Sequence, residues 1–179
     1  MATPTNLPGS FSVGQVLTAA DMNNLRGAFR ILQVVSANVT DINQSTTSTT
    51  FVDVTGLSVS ITPQSTSSKV FVIASFNVGA DGSADDTWYN LNRGATALAQ
   101  GTGGTNNSTL QYRFSYDGAG YQTYQIVNLV CSFLDSPNTT SATTYKMQWR
   151  TRVGTIYLNR RGDTNSAVSS SITAFEISA

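Results

Sequence analysis

The chain has 179 residues, 40% hydrophobic and 11% charged, with ten basic residues against ten acidic ones and no histidine. That length holds one core of ordinary domain size plus a short extension, and excludes a pair of independent enzyme domains. Scattered charges at well under the usual share of about a quarter leave no basic footprint for nucleic acid or an anionic membrane, and a neutral surface rich in Ser, Thr and Asn favours association over a free monomer.

Residues 1–10 are small and polar around Pro4 and Pro8, which suits an extended arm. They hold neither basic residues nor an apolar stretch of signal-peptide length. No later segment is long and apolar enough to cross a bilayer, so synthesis and assembly in the cytoplasm, without membrane insertion, are expected. A short helix follows. Thr18 serves as its N-cap, Asp21 at the third helical position returns the bond, Leu17 and Met22 stand at hydrophobic-staple spacing, and Gly27 supplies the stop. Met22, Leu25 and Phe29 fall on one stripe, so this helix requires an apolar partner surface on its own domain or on a neighbouring subunit.

From Ile31 onward, runs of β-branched and aromatic residues alternate with polar turns. Strands are predicted over residues 31–39, 50–54, 57–62, 69–78, 88–93, 122–134, 144–152, 155–159 and 169–178. Within 145–152, Tyr145, Met147, Trp149 and Thr151 point one way, and Lys146, Gln148, Arg150 and Arg152 the other, as on a half-buried strand. Residues 70–74 and 126–130 are apolar at nearly every position, the mark of strands covered on both faces, by the opposite sheet and by a second subunit. Residues 81–86 and 99–108 (AQGTGGTNNS) read as exposed loops. The expected fold is mainly β: a two-sheet antiparallel sandwich of jelly-roll type over residues 31–179, preceded by an arm with one short helix over 1–30.

Most of the chain carries a family resemblance. SFSVGQVLTAADMNNL, residues 10–25, resembles a segment at the start of many tail-associated and other structural proteins of tailed bacteriophages. TTFVDVTGLSVSITPQSTSSKVFVIASFNV (49–78), RGATAL (93–98), DSPNTTSATTYKMQWRT (135–151) and SSITAFEISA (170–179) resemble a β-domain of phage fibre and appendage proteins. The resemblance implies a jelly-roll head similar to tumour-necrosis-factor and complement-type heads, assembled as a homotrimer around a three-fold axis. It also implies that the N-terminal segment, through Phe11, Val13, Val16, Leu17, Met22 and Leu25, docks the trimer onto other virion proteins. A homotrimeric tail or fibre appendage that helps host attachment is the first expectation. The alternatives are a capsid decoration protein, which the short shaftless body suits, and a carbohydrate-cleaving depolymerase.

The residues supply little for catalysis. With no histidine, Ser-His-Asp and Cys-His arrangements and the commonest zinc ligand are excluded, and no cofactor or metal is expected. The spacing of the carboxylates singles out no glycosidase pair, although a fold can bring two together. Asp81, Asp85 and Asp86 have some flavour of a calcium loop but lack its full ligand spacing, and a solvated acidic turn is the preferred reading. Arg161-Gly162-Asp163 reads as a Gly-containing turn, and Cys131, in an apolar run, as a buried inert thiol. Tyr112, Tyr116, Tyr121 and Tyr124 flank Asp117-Gly118-Ala119-Gly120 and are the candidate surface for host carbohydrate. The preferred reading is that they line the trimer interface as a hairpin packed between subunits.

Overall fold

The computed structural model describes residues 13, 14, 16, 31–114 and 121–178, without the side chains of 121 and 122. Among these residues the strands are β1 (Ile31–Val39), β2 (Ser45–Thr46), β3 (Val52–Ile61), β4 (Lys69–Ala80), β5 (Asp86–Arg93), β6 (Thr96–Leu98), β7 (Leu110–Arg113), β8 (Ile126–Asp135), β9 (Thr143–Thr151), β10 (Ile156–Leu158) and β11 (Ser170–Ile177). The described residues contain no α-helix, and the helix expected after Thr18 lies outside them.

Every pairing between these strands is antiparallel, and they form two sheets that pack as a sandwich. In the first, β4 is central: β8 runs along one edge, while β11 (against 69–75) and β10 (against 78–80) share the other. β1 continues that sheet beyond β11, and β2 beyond β10. The second sheet runs β3–β9–β5, with β7 and β6 sharing the far edge of β5.

Period-two alternation decides which side chains meet between the sheets. Val70, Val72, Ala74, Phe76 and Val78 of β4, with Ile172 and Ala174 of β11, face Tyr89 and Leu91 of β5 and Tyr145, Met147 and Trp149 of β9, all buried. Each large side chain so removed from water contributes about 1.5–3 kcal/mol. Phe76 meets Tyr89 at 5.1 Å between ring centroids, and the Tyr89 hydroxyl donates to Thr87 Oγ1 at 2.9 Å, so this phenol is buried without losing its partner.

Two elements depart from expectation. Residues 50–62, read as two strands, contain one strand, β3, whose register with β9 shifts between Asp53 and Ser58. Val54 and Leu57 are both buried although three apart, which strict alternation forbids. Between Asp53 and Ser58 the chain takes five steps against two on β9, three extra residues, an odd number that changes the phase, and Gly56 accepts the left-handed backbone (φ +77°) within this bulge. The strand expected over 122–134 begins only at Ile126, because Tyr121–Tyr124 forms a 3₁₀ turn. The short strands β2, β6 and β7 were not anticipated from the sequence pattern.

Candidate functional site

One row of the outer face of the first sheet is apolar where an isolated sandwich would be polar, and single apolar side chains continue it among Ser36, Ser75, Ser132, Ser171 and Thr173. Register sets Leu134, Phe71, Phe175 and Val34 in one row across β8, β4, β11 and β1, with Ile73 in the next row and Val130 in the one after. Phe71 and Phe175 lie 6.3 Å apart, and Val34, Val130 and Leu134 are each more than half exposed. Polar pairs close the band: Lys69 Nζ donates to Ser136 Oγ at 2.7 Å at one end, and Asn128 Nδ2 to Asn77 Oδ1 at 3.1 Å at the other. Two of these strands, β4 and β8, carry the nearly continuous apolar runs at 70–74 and 126–130 that predict cover on both sides.

The outer face of the second sheet has the opposite chemistry. Trp88 is paired with Arg150, Asn90 with Gln148, and Asn92 with Lys146. The Arg150 guanidinium lies 4.1 Å over the Trp88 ring and 4.9 Å from that of Phe51. Its Nη2 donates to Asn106 Oδ1 at 2.8 Å and its Nη1 to the Thr49 carbonyl at 3.3 Å. Residues 99–109 fold over this face: Gln100 Nε2 and the Thr109 N–H both donate to Asn90 Oδ1 at 3.1 Å. Asp53 accepts from Lys146 Nζ and Gln148 Nε2, each at 2.7 Å, and these bonds hold its carboxyl below the ordinary value. It also lines a cleft of about 310 Å³, together with Asn43, Gln44, Ser45, Thr46, Val52, Thr55 and Trp149. The sequence reading missed this face. Its signals were the outward phase of Gln148 and Arg150 and the glycine-rich loop, but nothing in the sequence told which face that loop would cover.

Of the expected docking residues, Val13 and Val16 are fully exposed, and Phe11, Leu17, Met22 and Leu25 lie outside the described residues. The tyrosines do not form the expected hairpin. Tyr112 is in β7 of the second sheet, half-buried against Phe114 at 4.9 Å, whereas the chain after Tyr124 enters β8 of the first. Tyr124 is exposed with Arg161 stacked 5.4 Å from its ring centroid; Tyr116 and the side chain of Tyr121 lie outside the described residues.

The acidic turn is organised from within. Asp81 Oδ1 accepts from the N–H groups of Ser83 and Ala84 and from Ser83 Oγ, and Oδ2 from the Thr155 N–H, all at 2.8–2.9 Å. Burial alone would raise this carboxyl, but the bonds from Ser83 and Thr155 outweigh it and lower it. Asp85 and Asp86 both pair with Arg152. In the Arg161-Gly162-Asp163 turn, Arg161 Nε donates to Asp163 Oδ1 at 2.8 Å, and a Cβ on Gly162 would sit 2.4 Å from the Ala80 carbonyl, so the tripeptide is folded onto its own domain. Cys131 is buried between the sheets with Sγ 3.9 Å from Met147 Sδ, and burial pushes its thiol up to about 11. No protein-family model matches the chain, and none of the curated proteins is detectably similar to it in sequence.

Proposed function

We propose that the chain is a structural component of a tailed-bacteriophage virion, a homotrimer of jelly-roll sandwiches joined through the outer face of β8–β4–β11–β1. Residues 1–30 are its docking arm to other virion proteins, and it serves at the tail or its fibres in host attachment. The apolar band of Val34, Phe71, Ile73, Val130, Leu134 and Phe175 carries this reading. Contiguous exposed apolar surface with a polar rim marks an association site, and net charge zero sets no long-range repulsion against bringing identical copies together.

Jelly-roll wiring is supported by the order of the strands. The chain passes from β3 in the second sheet to β4 in the first, back to β5, then to β8, to β9 and finally to β11, giving β8–β4–β11–β1 against β3–β9–β5–β7. The role is structural rather than catalytic: the carboxylates of Asp53, Asp81, Asp135 and Glu176 are all engaged by donors of the fold. Light scattering of purified protein is expected to return about three times the chain mass, and a monodisperse monomer at micromolar concentration would exclude the trimer. Gold labelling of particles is expected on the tail; label over the head would select capsid decoration instead.

A further inference from the structure

We infer that the outer face of β5 and β9 beneath residues 99–109 is a binding site for a carboxylate-bearing saccharide, covered by that loop. Buried polar atoms are almost always hydrogen-bonded, because one left without a partner has lost water and gained nothing in exchange. On this one face Trp88 Nε1, Asn92 Oδ1 and Arg150 Nε are all buried without a partner. Trp88 is 4% exposed and Asn92 3%. Trp88 and Arg150 are cross-strand neighbours, so two donors meet there, and Asn92 lies on the same side of β5 about 13 Å further along the strand.

Arg150 specifies the ligand's charge. It is a half-buried cation between two aromatic rings, and its hydrogen bonds go to neutral oxygens only, those of Thr49 and Asn106. Among the described residues no carboxylate pairs with it, unlike Arg93, Arg152 and Arg161. Nε and Nη2 form one edge of a guanidinium, the fork that takes both oxygens of a carboxylate. Here that edge holds one neutral oxygen, Asn106 Oδ1 from the exposed loop, with Nε–H vacant beside it. Asn106 thus stands where one oxygen of a ligand carboxylate would bind, and lifting the loop exchanges a neutral acceptor for a charged, two-point one. Trp88 Nε1–H as donor beside the fork and Asn92 Oδ1 as acceptor further along β5 suit the hydroxyls of successive sugar rings, which both give and accept. An acidic sugar combines both requirements.

This site is on the sheet opposite the self-association face, so saccharide binding stands apart from the trimer; only its use in host attachment rests on the virion reading. The test is titration of the full-length protein with oligogalacturonate and with N-acetylneuraminic acid oligomers, followed by tryptophan fluorescence and calorimetry. At least one probe is expected to bind saturably, and its methyl ester to bind about tenfold or more weakly, as loss of a charge-assisted fork requires. Asn106→Ala, at an exposed loop position, is expected to tighten binding by removing the competitor, while Arg150→Gln abolishes it with the fold retained by circular dichroism. Absence of saturable binding of either probe to both wild type and Asn106→Ala would overturn the site, leaving its orphaned atoms to water alone. Equal binding of the methyl ester, or of an acidic peptide, would overturn the ligand class. Light scattering on the same samples reports the trimer separately.

Discussion

Arg93 Nη1 donates to both carboxylate oxygens of Asp135, at 2.9 and 2.8 Å, from the end of β5 to the end of β8, and so ties the two sheets together where the sandwich would otherwise open. Tyr145 of β9 donates to Asp135 Oδ2 at 2.6 Å, completing a triad in which Asp135 and Tyr145 are buried and Arg93 is partly exposed. Removing one partner of such a pair strands the other charge. Asp135→Asn is therefore expected to lower unfolding stability by about 3 kcal/mol, the lower end for a buried pair because Arg93 is partly reached by water. Tyr145→Phe, which removes one bond to a charged group, is expected to cost about 1.5–3 kcal/mol. Urea unfolding measures both, and an Asp135→Asn protein as stable as wild type would show that packing alone closes this end.

Trp149→Ala is expected to cost about 3–5 kcal/mol, since it truncates a buried aromatic on the central strand of the second sheet. Trp149 is 3% exposed and lies on the inward face of β9 between Met147 and Thr151, within the hydrophobic core. Loss of less than about 1 kcal/mol in denaturant unfolding would mean that the core collapses around the gap.

The inward phase of Trp149 was legible because residues 145–152 alternate without exception, and a period of two cannot be mistaken over eight residues. β1 and β11 were legible as runs rich in β-branched and aromatic residues. Other features were written outside the local pattern. Two residues at Ser45–Thr46 or three at Thr96–Leu98 are too few to show a period, and they are strands only because the edges of β10 and β5 offer unpaired backbone groups. The hairpin reading of the tyrosines failed because aromatics on either side of a Gly-rich stretch also fit a strand of one sheet, β7, and a 3₁₀ turn that leads into the other, at β8. The polar face under residues 99–109 depends on which sheet the loop folds across, a tertiary fact with no local signature.

Acid is expected to destabilise the protein partly through Glu176 of β11. Burial alone would raise this carboxyl. The Ser68 hydroxyl, close by though outside good hydrogen-bond geometry, the Gln33 amide at 2.6 Å and the Gln64 N–H at 2.7 Å together bring it below its ordinary value of 4.5. A lowered folded value means that the unfolded chain takes up the proton first. Its stabilisation is complete above 4.5 and is lost as pH falls through the lowered folded value. Asp81, lowered in the same sense, adds to the same acid limb. Glu176→Gln is expected to flatten the fall in stability between about pH 5 and about pH 3. An unchanged slope in urea midpoints across that range would remove Glu176 from the account.

Deleting residues 1–29 is expected to leave a folded β-protein of unchanged oligomeric mass. The buried hydrophobic core of the described residues begins at Val39, and β1 starts at Ile31, so the sandwich closes its own interior. The truncated protein is expected not to join particles when supplied to a phage lacking the full-length chain. Normal incorporation would move docking to the sandwich, and failure to fold would make residues 1–29 part of the folding unit.

Charge placed on the apolar band separates assembly from folding. Val130 and Leu134 are 54% and 52% exposed on β8, so a longer polar side chain at either position points into solvent in a single copy and disturbs no buried contact. Surface changes of that kind ordinarily alter stability by no more than about 0.5 kcal/mol. In a trimer joined by this face, each carboxylate would instead be carried into an apolar interface beside Phe71 and Ser75, its register partners, and desolvated without a counter-charge. Val130→Glu with Leu134→Glu is therefore expected to reduce the mass by light scattering from three chains to one while leaving the circular dichroism spectrum and the melting temperature of the sandwich nearly unchanged. Ser60→Glu, an exposed position on the outer face of β3, is expected to leave the mass unaltered. A doubly substituted protein that keeps its full mass would place the subunit contacts elsewhere, and the outer face of the second sheet would then be the next surface to charge.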